Sequence, residues 1–353
     1  MNQEQQSKLE LSIENMKNKK SRIYLIAQDT KGNAKASIAY IYRLGLALLN
    51  GGYNPIILHE SSDYTGVADW LGPEYMTLPH QPIEGQNLEV SPDDLLVIPE
   101  LFGYIMGQVS KLPCGKIVLC QAYDHMLETL QPGETWTQLG FYKCITTSDY
   151  QKEFIEGVMR GVSFDVIKPY FSDKFKPSVL PAKPIVAVHT RDQRDTLNLI
   201  KSFYIKFPQY RWITFRDMRN LSESEFAKGI EECCLSVWID ETSAYGTFPL
   251  ESIKSNVPVL GLVPNMVPDW MNEDNGLWVN NKVQMVDFVA DFLQNWLEDN
   301  VSGNLVEGMK KTADSLSTKE LFDETVVTIF DRFINTRLES FVEQLNKLET
   351  IEQ

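Results

Sequence analysis

The residues best placed for chemistry lie in one stretch, Tyr245-Gly246-Thr247-Phe248-Pro249-Leu250-Glu251, closed by Asn256-Val257-Pro258-Val259. The apolar run 235–239 before it reads as a buried strand, and 258–263 after it as another. A helix must lie between them, with Pro249 suited to its first turn and Asn256-Val257-Pro258 ending it. Gly246 permits a tight turn or a close backbone approach. The N–H groups of such a helix start attract phosphate or sugar oxygens. Glu251, expected in the first turn, accepts two hydrogen bonds from vicinal hydroxyls, or else merely complements the helix dipole. Residue type alone leaves those two readings equal.

A second candidate group follows the apolar run 185–189, where His189 is trailed by Arg191 and Arg194. A guanidinium binds phosphate oxygens in pairs and stabilises a departing anion. The plain alternative is a salt bridge to Asp192 or Asp195. His189 either touches the same phosphates or is simply buried.

Earlier in the chain, the loop 29–37 holds Gly32 and Asn33, whose backbone N–H groups are candidates for phosphate contact. Its glycine and lysine spacing is not that of a P-loop or of the three-glycine dinucleotide fingerprint. Asp124 and His125 follow the apolar run 116–121, and Glu100 follows 94–98. A His–Asp pair binds hydroxyls or moves a proton. A histidine at a strand end is more often a satisfied structural group, and Glu100 reads equally as a surface carboxylate. Trp70, Trp136 and Trp270 either stack on sugars or cap cores.

The elements that must position these groups are legible as alternating short apolar runs and helical patterns. Runs at 22–28, 54–59, 94–98, 116–121 and 144–147 make one set, with an amphipathic helix at 36–49 stopped by Gly51-Gly52. Pro169, Pro177, Pro181 and Pro184 mark a linker. The pattern restarts at 185–189, 211–215, 235–239 and 258–263, with a helix over 196–207. Such alternation predicts two doubly wound domains with parallel sheets, whose ligands bind beyond the carboxyl ends of the strands. The expected division is a polar lead at 1–20, a first domain at 21–168, a second at 169–318 and a closing helix at 319–353. The apolar stripe of that helix is Phe322, Val326, Ile329, Phe330, Phe333 and Ile334.

The chain has 353 residues, 43% hydrophobic and 23% charged, which suits two globular domains. A formal net charge of −15 disfavours free nucleic acid and anionic lipid as default partners. The one basic cluster, Lys17 to Lys20 with Arg22, reads as a solvated helix end. Five cysteines at no zinc spacing read as reduced thiols, and with no membrane-length apolar run or signal-peptide core the expectation is a cytoplasmic protein.

The segment 240–261 resembles the donor motif of GT-B glycosyltransferases, in particular the retaining family related to glycogen and sucrose synthases. The residues from Tyr245 to Glu251 and from Asn256 to Val259 match in order and spacing. The resemblance implies that Glu251 holds the ribose hydroxyls of the donor nucleotide. It implies that Tyr245, Gly246, Thr247 and Phe248 line the diphosphate and sugar, with Arg191, Arg194 and His189 beside them. The family carries an earlier glutamate, with seven residues between it and the later one, that contacts the transferred sugar. Ser243 stands in that donor-binding position, so the sugar is left open.

Further stretches resemble the family more loosely. Residues 144–155, with Ser148 as a helix cap, are similar to its strand–serine–helix step, and 166–177 to the crossover that follows. Residues 97–100 and 120–125 are similar to strand ends in a bacterial branch; the likeness spans about 22–300.

The resemblance implies two Rossmann-like domains facing a central cleft. The implied activity is retaining, metal-independent transfer from a nucleotide-diphosphate sugar, UDP-linked in the leading reading, to a hydroxyl acceptor. No cofactor beyond the donor is implied. The acceptor stays open among saccharide, lipid-linked sugar, protein and modified nucleic-acid base. Asp124, His125 and Glu100 are the candidate catalytic residues on the acceptor side. A non-catalytic GT-B module that binds a sugar nucleotide or a partner is the alternative, and an epimerase or phosphorylase ranks below it.

Overall fold

The computed structural model describes the backbone of residues 3–85, 88–242 and 245–351. It divides into two compact units, residues 1–169 with 319–353, and residues 170–318.

The first unit begins with α1 (Gln3–Lys17), then β1 (Arg22–Ile26), α2 (Ala36–Asn50), β2 (Asn54–His59), β3 (His80–Pro82) and β4 (Leu95–Pro99). A short 3₁₀ turn, Glu100–Phe102, leads into α3 (Gly103–Val109), followed by β5 (Gly115–Cys120) and α4 (Tyr123–Thr129). Last come β6 (Lys143–Thr146), α5 (Asp149–Val158) and β7 (Ser163–Val166). The seven strands are parallel in the order β3-β2-β1-β4-β5-β6-β7. Chain order reverses between β1 and β4, which opens a crevice at their carboxyl ends. Every residue of β4 is buried, as expected of a strand covered on both faces. Ser148 caps α5 by accepting from Gln151 N at 3.2 Å, as its sequence position predicts.

The second unit runs β8 (Lys183–Thr190), α6 (Gln193–Lys206), β9 (Thr214–Asp217), α7 (Glu223–Glu231), β10 (Cys233–Ile239) and α8 (Thr247–Lys254). It closes with β11 (Val259–Leu262), β12 (Leu277–Val279), α9 (Lys282–Leu297) and α10 (Gly303–Asp314). Its five parallel strands stand in the order β12-β11-β10-β8-β9, so the reversal falls between β8 and β10. The strands alternate their side chains between two cores. Val186, Val188, Leu235 and Val237 pack with Phe203 and Leu293 on one face. Ala187, Trp238 and Val259 pack with Phe248 and Leu250 on the other.

The chain then returns to the first unit as α11 (Lys319–Ile351), which packs on α1 and α2. Phe322, Val326, Ile329, Phe330 and Ile334 are buried there, and Tyr40 meets Phe322 edge-on at 5.8 Å. The N-terminal lead is therefore a packed helix, with Ile13 and Met16 buried. Arg22 is not solvated either: its guanidinium pairs with Asp94 at 2.6 Å. All five cysteines are free and buried. Among the described residues, no helix is long and apolar enough to cross a membrane.

Candidate functional site

The reversal between β8 and β10 places two loops side by side. Arg191 leaves β8 by donating its backbone N–H to Ile239 O at 3.1 Å. Its guanidinium crosses to the other loop, bonding the Thr242 hydroxyl and lying 3.8 Å from Asp240. Asp240 organises that loop by accepting from Thr242 N at 3.0 Å and from the Thr242 hydroxyl at 3.1 Å. Arg194 turns away. It grips Asp192, the N-cap of α6, with Nε–Oδ2 at 2.9 Å and Nη2–Oδ2 at 2.6 Å, on an exposed face. The salt-bridge reading thus describes Arg194, and Arg191 is the arginine that lies at the strand reversal.

His189, one residue before the end of β8, stacks on Phe248 of α8 with ring centroids 5.0 Å apart. This contact fastens the end of β8 to the start of α8. Burial lowers the imidazole's pKa, which favours the neutral ring. Its Nδ1 is buried and has no hydrogen-bond partner among the described residues.

Helix α8 begins at Thr247, because Gly246 takes a left-handed conformation (φ 71°) and turns the chain there. Among the described residues, no side chain caps this helix start. A Cβ at Gly246 would meet Trp270 at 3.1 Å and both Trp238 and Pro249 at 3.2 Å, so the turn tolerates only glycine without strain. Gly246→Ala is expected to cost about 1–3 kcal/mol of stability. Chemical denaturation of the pure protein checks this.

Glu251 is the fifth residue of α8 and half-buried, in the second turn and not the first as its sequence position suggested. The helix dipole acts over the first turn, so it gives little reason for a carboxylate there. Tyr245 is a packing group: its ring stacks on Phe171 at 6.4 Å, and burial raises its hydroxyl pKa. Its carbonyl accepts from Trp270 Nε1 at 2.6 Å, so Trp270 braces the turn. Trp70 and Trp136 are buried and belong to the core. Ser243 lies outside the described residues.

Two basic residues here were not found by sequence reasoning. Lys282, at the start of α9, bridges Asp195 at 2.8 Å and Glu241 at 2.9 Å. Arg219, just past β9, grips Asp217 with Nε–Oδ1 at 2.9 Å. Each follows a strand end, a position visible in sequence only if its strand is seen. The three-residue β12 before Lys282 is too short to stand out.

In the first unit the structure brings Glu100, Asp124 and His125 together beyond β4 and β5. Glu100 is 2% exposed, so it is no surface carboxylate. Its Oε1 accepts from Ala122 N at 2.8 Å and lies 3.9 Å from His125 Nδ1, while Oε2 is buried and has no hydrogen-bond partner among the described residues. Burial pushes its pKa up to about 7, opposed by the backbone N–H groups it accepts from and assisted by nearby Asp124. Glu100 therefore braces the turn that presents Asp124 and His125. The loop after β1 is separate. Asn33 spends both its backbone and side-chain N–H on Thr30 O, at 3.0 and 3.1 Å, whereas Gly32 is exposed with open space around it.

No family model matches the chain. It is 21% identical over 248 residues, 63% of this chain and 72% of the relative, to an alpha-1,6-glucosyltransferase from Actinobacillus pleuropneumoniae. Among solved structures, it is similar to sucrose-phosphate synthase from Thermosynechococcus elongatus, with TM-score 0.65, 13% identity, and coverage of 90% of this chain and 100% of that one. Anabaena HepE in complex with UDP-glucose gives TM-score 0.61 at 11% identity, covering 88% of this chain and 99% of that one. The chain has the GT-B fold. Within that fold, the β8/β10 reversal is the crevice formed by the second unit's own strands, and it is where Arg191, His189 and the start of α8 converge.

Proposed function

We propose that this GT-B chain is a glycosyltransferase that moves a sugar from a nucleoside-diphosphate donor to a hydroxyl acceptor. The observation that carries the reading is the His189–Phe248 stack, which fixes the start of α8 beside the loop of Arg191. A diphosphate seated there meets backbone N–H groups and a guanidinium, and these offset the charge that builds on the leaving group without requiring a metal ion. Glu251, one turn further along α8, is assigned to the ribose hydroxyls. His125, braced by Glu100, is assigned with Asp124 to the acceptor hydroxyl. The names of the glucosyltransferase relative and of the UDP-glucose complex make UDP-glucose the first donor to test, and the retaining family resemblance supports transfer with retention.

Thermal melting with added UDP tests this reading. A ligand that binds only the folded state raises the melting temperature with concentration. Arg191→Ala is expected to weaken UDP binding about ten- to hundredfold, the worth of a charged hydrogen bond at about 1.5–3 kcal/mol. Arg194→Ala is expected to change it less than about twofold, because its exposed pair with Asp192 contributes little. Equal effects of the two substitutions, or no shift with any nucleotide, would overturn the donor-site assignment. Release of UDP from UDP-glucose, measured with and without a chelator, separates transfer from the binding-module reading and checks metal independence.

A further inference from the structure

A cavity of about 450 Å³ opens at the opposite, amino-terminal end of the first unit's sheet, where β5, β6 and β7 begin beside α11. Lys116, Lys143, Arg332 and Arg337 line it, together with Tyr142 and Phe333. Four cations converge here in a chain whose formal charge is −15. One carboxylate, Asp165, serves both Lys143 and Arg332. Among the described residues, no carboxylate forms a direct ion pair with Lys116 or Arg337, although Asp93 and Asp94 lie near enough to Arg337 to act on it. Lys116 Nζ instead donates to Leu112 O at 2.7 Å and Cys114 O at 3.4 Å. Arg337 donates to Asp94 O at 3.2 Å and to Pro92 O.

Arg337 also lies over the Phe341 ring at 5.7 Å. Half-buried cations whose direct polar partners are carbonyls leave room for an anion to complete them. The site is also shaped for this. Any side chain at Gly115 would collide with Arg337 Nη1, so the bare strand start lets the guanidinium lie against it. Burial lowers the pKa of both Lys116 and Arg337, opposed at Arg337 by Cys114, Asp93 and Asp94.

We propose that this cavity is a second, separate anion site that binds a small phosphate-bearing metabolite. Lys116, Lys143, Arg332 and Arg337 contact the phosphate, and Tyr142 and Phe333 flank the rest of the molecule. The six residues of β5 put roughly 20 Å between this cavity and the Asp124–His125 turn, at about 3.3 Å per residue. Occupancy here therefore does not compete with chemistry at the strand ends.

The test uses the full chain carrying Arg191→Ala, so that the donor loop is disabled. Calorimetric titration with inorganic pyrophosphate and with AMP is run at constant ionic strength. Binding of either probe is expected, and Arg337→Met or Arg332→Gln should weaken it at least about tenfold. Arg332 lies on the surface, so its variant guards against a folding defect, and melting curves verify both. Tighter binding of AMP than of pyrophosphate would support the aromatic flank. Failure of both probes to bind, or binding unchanged in both variants, would overturn the proposal. Sedimentation with phosphatidylglycerol vesicles without binding of either soluble probe would overturn it too, by assigning the cations to a membrane surface.

Discussion

Glu251→Ala is expected to weaken UDP binding about 30- to 100-fold and to abolish discrimination of the ribose hydroxyls. The carboxylate stands at the fifth position of α8, beyond the turn in which the helix dipole rewards an acid. On the proposed reading it accepts from two ribose hydroxyls in the complex. One charged hydrogen bond is worth about 1.5–3 kcal/mol, and a tenfold change in affinity is about 1.4 kcal/mol, so two partly redundant bonds give the stated range. Glu251→Gln keeps acceptor geometry without the charge and should fall between. A double cycle makes the assignment sharp. The parent should prefer UDP to 2′-deoxy-UDP, and Glu251→Ala should bind the two alike. If the variant instead lowers ligand-free stability and keeps the preference, Glu251 is a structural residue of α8.

The sequence was readable where burial alone decides structure. A central parallel strand is buried on both faces, so a run such as 54–59 announces itself, and β2 occupies those residues. Edge strands β3 and β12 have three residues each and are only partly buried, so they leave no apolar run to read. The apolar run 211–215 begins ahead of its strand because Ile213 is buried beneath a turn, and β9 starts at Thr214. Helix α6 starts three residues before its apolar periodicity, because the Asp192 cap sets the start.

For the site, order along the chain located the Glu251 segment but could not give its register on the helix. That depended on the positive φ of Gly246. Nor could sequence choose between Arg191 and Arg194. Asp192 lies next to both, and the loop from β10, distant in sequence, is what draws Arg191 away. The cluster at the sheet's amino end was invisible for the same reason, since Lys116, Lys143 and Arg337 meet only through strand order and the return of α11.

Glu100→Gln is expected to stabilise the protein above neutral pH and to cut transfer about a hundredfold. The Glu100 carboxyl titrates at about 7 in the fold against an ordinary 4.5, because burial penalises its charge. A carboxyl raised in this way stabilises the native state fully below pH 4.5, where it is protonated in both states. That contribution is lost between about pH 4.5 and 7, as the unfolded chain ionises first, and stays lost above. The difference of 2.5 units amounts to about 3 kcal/mol, or roughly 5–10 °C of melting temperature in a unit of this size.

Glutamine keeps an oxygen for Ala122 N and never ionises, so the variant should melt above the parent at pH 8 and level with it near pH 4.5. Its activity should fall because the ring of His125, 3.9 Å from the carboxylate, loses the nearby negative charge that favours its protonated form, and general acid–base assistance is worth about 10²–10⁴-fold. The pH profile of kcat/KM should also lose a limb near 7. A purely structural Glu100 predicts the opposite pattern: a variant that melts lower at every pH, with its pH profile unmoved.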